Sequence, residues 1–526
     1  MTVELTHDSA APVLHDVERT VVEDNDAHKL QALGHQQELR RNFSTYSIAA
    51  TGAWSAVGGS ILVAIYNGGA AGVLYELIVV SLAYAFITAS LAELSSSIPS
   101  SGGVYHWATV VAGPKYGRVI GFYAGWFNFL AWVFAISSTC AILGNALVQM
   151  YLVRHPEVEW KAWMVFIAFQ LLNWMGCLIV YCGNRFLPVL NFIGSFAVVS
   201  GVFVSIVVLA VMPKAHASSD FVWRTFVNGT GWSNRGLIFV MGLLNGGEYQ
   251  LVDGLLASIS NASSAFSVGT PDCTTHLAEE VRSPEVAIPK AMFFQLSLGF
   301  ATAFAYDRSL ATGSNAGAIG LTFIVFLAYF VALPDNFIAS GRTFWALSRD
   351  NATPFSSYFA HVSKRWQNPV RANMFCALVT TAVGCIYVGN TTAFNAFVGS
   401  FVVLTTISYG ITIAAHLATG WKFVLPGPFH LGRWGWGINL LALGYIVVSD
   451  VIFCFPFVQP VDAANMNYVS VIVGGFTTFV TVWWFLRARQ NYEGPKYIPQ
   501  IIEGQDQEES STPLSESKEE SGADKS

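Results

Sequence analysis

The chain has 526 residues, of which 53% are apolar, 14% aromatic and 11% charged. A soluble globular domain carries about 25% charged residues, so water alone is excluded as the solvent for this composition. The 27 Lys and Arg stand against 33 Asp and Glu, a net charge of −6, which leaves no basic excess to hold nucleic acid.

Residues 1–42 are polar, with an acidic start and no apolar core that would read as a signal peptide. They read as a cytoplasmic tail too poor in apolar residues to fold. A membrane helix needs about 20 mainly apolar residues. Windows of that kind lie near 44–66, 71–97, 118–152, 161–182, 187–213, 236–280 (interrupted), 288–306, 315–346, 370–388, 392–418, 433–457 and 467–487. The expected fold is therefore an all-α membrane protein of about twelve transmembrane helices, occupying 43–488. Residues 489–526 are expected to be a disordered acidic cytoplasmic tail. Placing the N-terminus inside puts twelve Lys and Arg of the short connections on the cytoplasmic side and six outside, so both ends read as cytoplasmic.

The first span contains Thr51-Gly52-Ala53-Trp54-Ser55-Ala56-Val57-Gly58-Gly59-Ser60. Glycine costs about 1 kcal/mol relative to alanine inside a helix, so this density favours a local break. Close helix packing by small residues reads the same stretch equally well. The outer loop after the fifth span carries Asn228-Gly229-Thr230, a glycosylation sequon.

The second half of the sixth span repeats the pattern in Phe266-Ser267-Val268-Gly269-Thr270-Pro271-Asp272, with a Gly and a Pro two residues apart and Asp272 where a helix restarts. Two interrupted helices five spans apart point to the binding site of a transporter built from inverted repeats. The expected substrate contacts are Gly52, Ala53, Trp54, Ser55, Ala56, Phe266, Ser267, Gly269 and Thr270. Half-helix N-termini there offer free N–H groups to a carboxylate. Trp54, Phe266, Trp126 and Tyr123 are candidates for an aromatic wall around an apolar or cationic cargo.

Asp272, His276, Glu279 and Glu280 follow at helical spacing. The outer pair reads either as a charged rim or as a gate, whereas Asp272 is deep enough to demand a role. Glu93, near the end of the second span, reads equally as a charge facing water or as part of a gate. Asp335 and Asp450 are further proton or amine candidates; of these Asp450, on a distant helix, is expected to matter less to transport.

Catalysis is the weaker class: the eleven His are scattered, and no HExxH, GxSxG or Walker pattern is present. The seven Cys fall in or beside apolar stretches, with no spacing for a disulfide framework or a zinc site. No cofactor and no metal are expected.

Three segments carry a family likeness: Glu93 to Tyr105 with its Ser-Ile-Pro-Ser-Ser-Gly-Gly core, Pro271-Asp272-Cys273-Thr274-Thr275-His276-Leu277-Ala278-Glu279-Glu280, and Ala339 to Phe355. Together they resemble the fungal amino-acid/choline permeases of the APC superfamily, a group that includes GABA, general amino-acid and choline permeases. The likeness covers about Leu33 to Tyr492. It implies a five-plus-five inverted-repeat fold of twelve helices, with the substrate held at breaks in helices one and six. It also implies secondary active uptake, commonly coupled to protons, so Asp272, His276, Glu93, Glu280 and Asp335 are gating or proton candidates. The expected cargo is an amino acid or small amine such as GABA. A choline-like carrier with an aromatic cage and a transport-inactive sensor are the alternatives, and the plasma membrane is the expected location.

The sequence departs from that family in two places. Residues 247–264 intervene where the halves of helix six would nearly meet; because Gly-Glu-Tyr can be encoded with an intron donor pattern, the stretch reads as an aberrant insert. The seventh span after Lys290 holds only residues 291–306, about 24 Å of helix against a core of about 30 Å, and reads as shortened.

Overall fold

The structure, a computed structural model, describes residues 26, 30–31, 37–51, 68–183, 186–211, 218–243, 270–306, 315–456, 459–463, 466–492 and 494–495. Contacts divide the chain into a unit Glu38–Gly494, which holds all the helices named below, and a second unit made of Met1–Gln37 and Pro495–Ser526.

The helices of Glu38–Gly494 are α1 (Thr45–Thr51), α2 (Gly69–Ser97), α3 (Val104–Val111), α4 (Gly113–Arg154), α5 (Ala162–Gly183), α6 (Leu187–Val211), α7 (Ser219–Trp223) and α8 (Arg235–Gly242). A 3₁₀ helix, Pro271–Glu280, comes next, and then α9 (Pro284–Tyr306), α10 (Asn315–Arg349), α11 (Ser356–Phe359), α12 (Val370–Gly389), α13 (Thr391–Thr419), α14 (Gly435–Ile452) and α15 (Val469–Trp483). Each of the twelve apolar windows holds one of these helices or part of one, and seven helices among the described residues are long and apolar enough to cross a membrane. No β-strand occurs among the described residues; the single bridge pairs Phe43 with Val281.

The long α4 forms the centre, packed between α10 and α13. Side chains from Phe122 to Leu143 are almost all buried, as expected of a helix apolar on every side and enclosed by protein. Other helices turn large apolar side chains outward, Leu171 of α5, Phe196 of α6, Val448 of α14 and Phe485 beyond α15 among them. In lipid such a surface needs no partner.

The seventh span differs from the sequence reading. Its helix begins at Pro284 and runs 23 residues, about 34 Å at 1.5 Å per residue, while its apolar part remains the stretch after Lys290 and it is not among the seven helices long and apolar enough to cross a membrane. The hydropathy window stopped short because Glu285, Pro289 and Lys290 occupy the first turns. Pro284 opens the helix where no amide partner is lost, and the acidic Glu285 suits the positive end of the helix dipole.

Candidate functional site

The second half of the sixth span is the 3₁₀ helix Pro271–Glu280, all ten residues of which are buried. Runs of 3₁₀ longer than three or four residues are uncommon, because their hydrogen-bond geometry is poor, so this one depends on its surroundings. Gln295 of α9 donates its amide to the Thr270 carbonyl at 2.9 Å and to the Thr270 hydroxyl at 3.1 Å, satisfying the backbone where the helix starts. Gly103 has a φ of 51°, and a Cβ there would lie 2.7 Å from the Thr275 hydroxyl; only a glycine lets this loop come so near.

Asp272 is fully buried at the head of this helix. Asn128 and Trp132 of α4 donate to one carboxylate oxygen at 2.8 and 3.2 Å, and Tyr409 of α13 donates to the other. His276 Nε2 stands 3.4 Å from the first oxygen, while its Nδ1 lies 3.1 Å from the Ser101 carbonyl. The Thr343 hydroxyl of α10 also lies 3.2 Å from Nδ1, so both ring nitrogens are engaged and the imidazole is held against the Asp272 carboxylate. Their partners come from α4, α10, α13 and the loop before α3, and shifting any of them changes the pair.

Two ion pairs close the same end of the bundle. Arg342 of α10 bonds Glu280, both wholly buried, and Arg349 reaches Glu279 at 3.4 Å. Asp350 accepts from Tyr105 at 2.6 Å and lies 3.3 Å from His106. The chain before α1 joins this cluster: the Phe43 amide donates to the Glu280 carbonyl at 3.0 Å, Arg41 to the Val281 carbonyl at 3.3 Å, and the Leu39 and Phe43 side chains are buried.

Glu38 is exposed at its tip, yet partial burial raises its carboxyl above the ordinary value, and Glu279 adds to this while Arg349 and His361 oppose it. The docked segment therefore favours protonated Glu38: its docking is complete at low pH and weakens as pH rises through the raised value. Glu38→Gln should slow hydrogen exchange of the Phe43 amide at neutral pH and leave it unchanged near pH ~4, where Glu38 is already largely neutral. Faster exchange in the variant at neutral pH would show instead that attraction to Arg349 holds the segment.

Of the expected substrate contacts, Gly52, Ala53, Trp54, Ser55, Ala56, Phe266, Ser267 and Gly269 lie outside the described residues, as does 247–264; Thr270 is placed as above. Asp272, His276 and Glu280 come together at one end of the bundle. Asp335 is buried on α10 and accepts from Asn191 of α6 at 2.9 Å. Glu93 does not face water: it is 4% exposed, accepts from the Leu431 amide at 3.0 Å and the Trp421 indole at 3.3 Å, and lies 3.8 Å from His416. It thereby ties α2 to the connection between α13 and α14. Asn228 is exposed, with its carboxamide bonded within its own loop to Thr230 and Trp232.

Trp126 and Tyr123 depart from the expected aromatic wall. Trp126 packs edge-on against Phe479, and Tyr123 bonds Thr481, both on α15. A helix turns about 100° per residue, so these two lie on the side of α4 away from Asn128 and Trp132, which do reach Asp272. The sequence reading missed Asn128, Trp132 and Tyr409, polar or aromatic residues on otherwise apolar helices. It also missed Glu76, a fully buried carboxylate on α2 set against Gly242 at the end of α8.

The amino acid permease family profile matches residues 42–320 and 309–476. The chain belongs to the amino acid permease family. The permease is 30% identical over 502 residues to a choline transporter of Saccharomyces cerevisiae, across 90% of this chain and 86% of that one. It is 25% identical over 522 residues to an amino-acid permease of Arabidopsis thaliana, across 90% and 97%. Among solved structures it aligns with an Eremococcus coleocola manganese transporter at a TM-score of 0.49 and 12% identity, covering 92% of this chain and 96% of that one. As a member of that family with seven helices among its described residues long and apolar enough to cross a membrane, the protein is a multi-pass membrane transporter. The two matched segments of the family profile overlap over residues 309–320, which include the start of α10.

Proposed function

We propose that this permease carries a small amine, of the amino-acid or choline class, across the plasma membrane together with a proton. In this reading the working transporter is 43–488 without 247–264, crosses the membrane twelve times as two inverted repeats, and keeps both ends in the cytoplasm. The cargo sits at the breaks of the first and sixth spans, against Gly52–Ala56 and Phe266–Thr270, and Asn228 carries a glycan.

The observation that carries this is the buried Asp272 and His276 pair. It stands at the restart of the sixth span, with donors from α4 and α13 and the Ser101 carbonyl as an acceptor, next to Thr270 and just inside the Glu280 and Arg342 pair. A titratable pair between a cargo position and a closed gate couples a proton to the opening of that gate. The likeness to a choline transporter at 30% identity favours a second reading, in which the cargo is a quaternary ammonium and needs an aromatic cage.

The test is uptake of radiolabelled choline, γ-aminobutyrate and a set of amino acids. It is made in cells lacking their own permeases, with and without a protonophore, for the 526-residue chain and for a form lacking 247–264. Uptake of one class, abolished by the protonophore and lost in Gly269→Val protein that still reaches the membrane, is the expected result. Normal uptake by Gly269→Val contradicts the proposed site, and uptake indifferent to the protonophore contradicts the coupling.

A further inference from the structure

The carboxylates inside the bundle are held in unlike ways. Asp272 is surrounded by Asn128, Trp132, Tyr409 and His276. Asp450 of α14 accepts one side-chain hydrogen bond, from the Thr406 hydroxyl of α13 at 2.5 Å; the Cys454 thiol turns instead to the Asp450 backbone carbonyl. It sits in the apolar run Val447-Val448-Ser449-Asp450-Val451-Ile452, two residues before the end of α14 and at the opposite end of that helix from Arg433.

The groups facing Asp450 can be taken helix by helix. From α13 come Thr406 and, further along, Tyr409, whose hydroxyl is committed to Asp272; His416, at the far end of α13, lies beside Glu93. From α2 comes Tyr84, and Glu76 two turns away on that helix stands against Gly242. From α8, Gly236–Gly242 contains nothing ionisable, and Arg235 at its start is exposed. On its own helix stands Tyr445. No Lys, Arg or His pairs with Asp450 among the described residues.

The tyrosines form a line. Tyr84 and Tyr445 meet edge to face, with ring centroids 6.0 Å apart. Asp450 is near enough for both to feel its charge, and Tyr84 also feels that of Asp272. Tyr409 feels Tyr84 in turn and donates to Asp272. Thr406 and Tyr409, about one turn apart on α13, bond Asp450 and Asp272 respectively, which links the two carboxyl groups through that helix.

Asp450 is half-buried, on an apolar helix, and a carboxyl in apolar surroundings with a single hydroxyl donor and no cation is costly as an anion and inexpensive as a neutral acid. One ringed by donors is the reverse. We propose that Asp450 is a proton-binding site of this permease, placed at the outer end of α14 and coupled to Asp272 through Tyr84 and Tyr409. The proposal rests on the proton-coupled reading and on the orientation given with it. A proton from the outer water forms an O–H bond at an Asp450 carboxylate oxygen and neutralises it; later in the cycle that bond breaks and the proton leaves to the cytoplasmic water. Loading removes a negative charge near Tyr84, and Tyr409 carries that change to the bond it makes with Asp272. This reverses the expectation from sequence that Asp450 matters little.

The test uses the purified transporting form in proteoliposomes, with radiolabelled choline and γ-aminobutyrate as probes, and compares two readouts. One is uphill accumulation driven by an inward proton gradient; the other is exchange of internal for external cargo at equal pH. Asp450→Asn should reduce accumulation about tenfold or more while exchange stays within about twofold, and Asp450→Glu should restore accumulation with a displaced pH profile. Thr406→Val, which keeps the carboxyl and removes its one donor, should move the pH midpoint of uptake without loss of protein, and so serves if Asp450→Asn does not fold. Gradient-driven accumulation in Asp450→Asn equal to the unaltered protein overturns the inference, as does an unmoved midpoint in Thr406→Val, or equal loss of accumulation and exchange. Failure of the unaltered protein to respond to the gradient would instead overturn the coupled reading itself.

Discussion

Arg342→Met is expected to destabilise the permease by about 3–5 kcal/mol, a large share of the roughly 5–15 kcal/mol that holds a protein folded. The guanidinium and the Glu280 carboxylate are both sealed from solvent, so removing one leaves the other as a buried, uncompensated charge. Attraction within such a pair about balances the desolvation of both partners, which is why the pair is worth less than the cost of breaking it. The double variant Glu280→Gln with Arg342→Met should therefore recover much of the loss. Thermal denaturation of detergent-solubilised protein, followed by the monodisperse fraction on gel filtration, checks both. A single variant as stable as the unaltered protein would mean that water reaches the pair.

Asp272→Asn should lower uptake by about tenfold or more and change its pH dependence, with a fall in maximal rate and not only in apparent affinity. The new amide brings two donors of its own toward Asn128, Trp132, Tyr409 and His276, which all turn donors inward. It has a single acceptor oxygen: set where Asn128, Trp132 and His276 converge it leaves the Tyr409 hydroxyl against a donor, and set at Tyr409 it leaves the other three so, each lost bond costing about 1–3 kcal/mol. The pair with His276 also loses its titratable acid. A pH profile identical to that of the unaltered protein, merely scaled down, would assign Asp272 a structural role alone.

How much of the molecule was legible in the sequence depends on the range over which each feature acts. Apolar windows are local, and each one holds a helix or part of a helix. The run Pro271–Glu280 stood out because Pro, Asp and His cluster in an apolar context, and its cost as isolated polar groups announced a network. The network's other members did not stand out. Asn128 and Trp132 lie about 140 residues from Asp272 in the chain, and no spacing rule connects them. Arg342 and Arg349 lay inside a recognised segment, yet their pairing with Glu280 and Glu279 is a matter of how α10 packs on the 3₁₀ helix.

Trp126 and Tyr123 show the opposite error, since they were chosen by residue type without asking which face of α4 each occupies. The helix of the seventh span starts at Pro284, ahead of its apolar stretch, and a hydropathy window cannot distinguish the polar first turn of a helix from a loop. Glu76 gave no local signal beyond being a single acid in an apolar stretch, a pattern it shares with residues that merely reach a membrane surface.

The central claim is that cargo sits beside the break of the sixth span, at Thr270, on the far side of Asp272 from the buried ion pairs. Thr270→Cys in a background with the exposed Cys182 and Cys385 and the half-buried Cys454 replaced by Ser gives a direct reading, through its rate of modification by a membrane-impermeant thiol reagent added from outside. Modification is expected to slow several-fold when the transported amine is present at saturation and to be unaffected by an amine the protein does not carry. Modification at the same rate with and without transported amine, in protein that still binds it, would contradict the placement of the site.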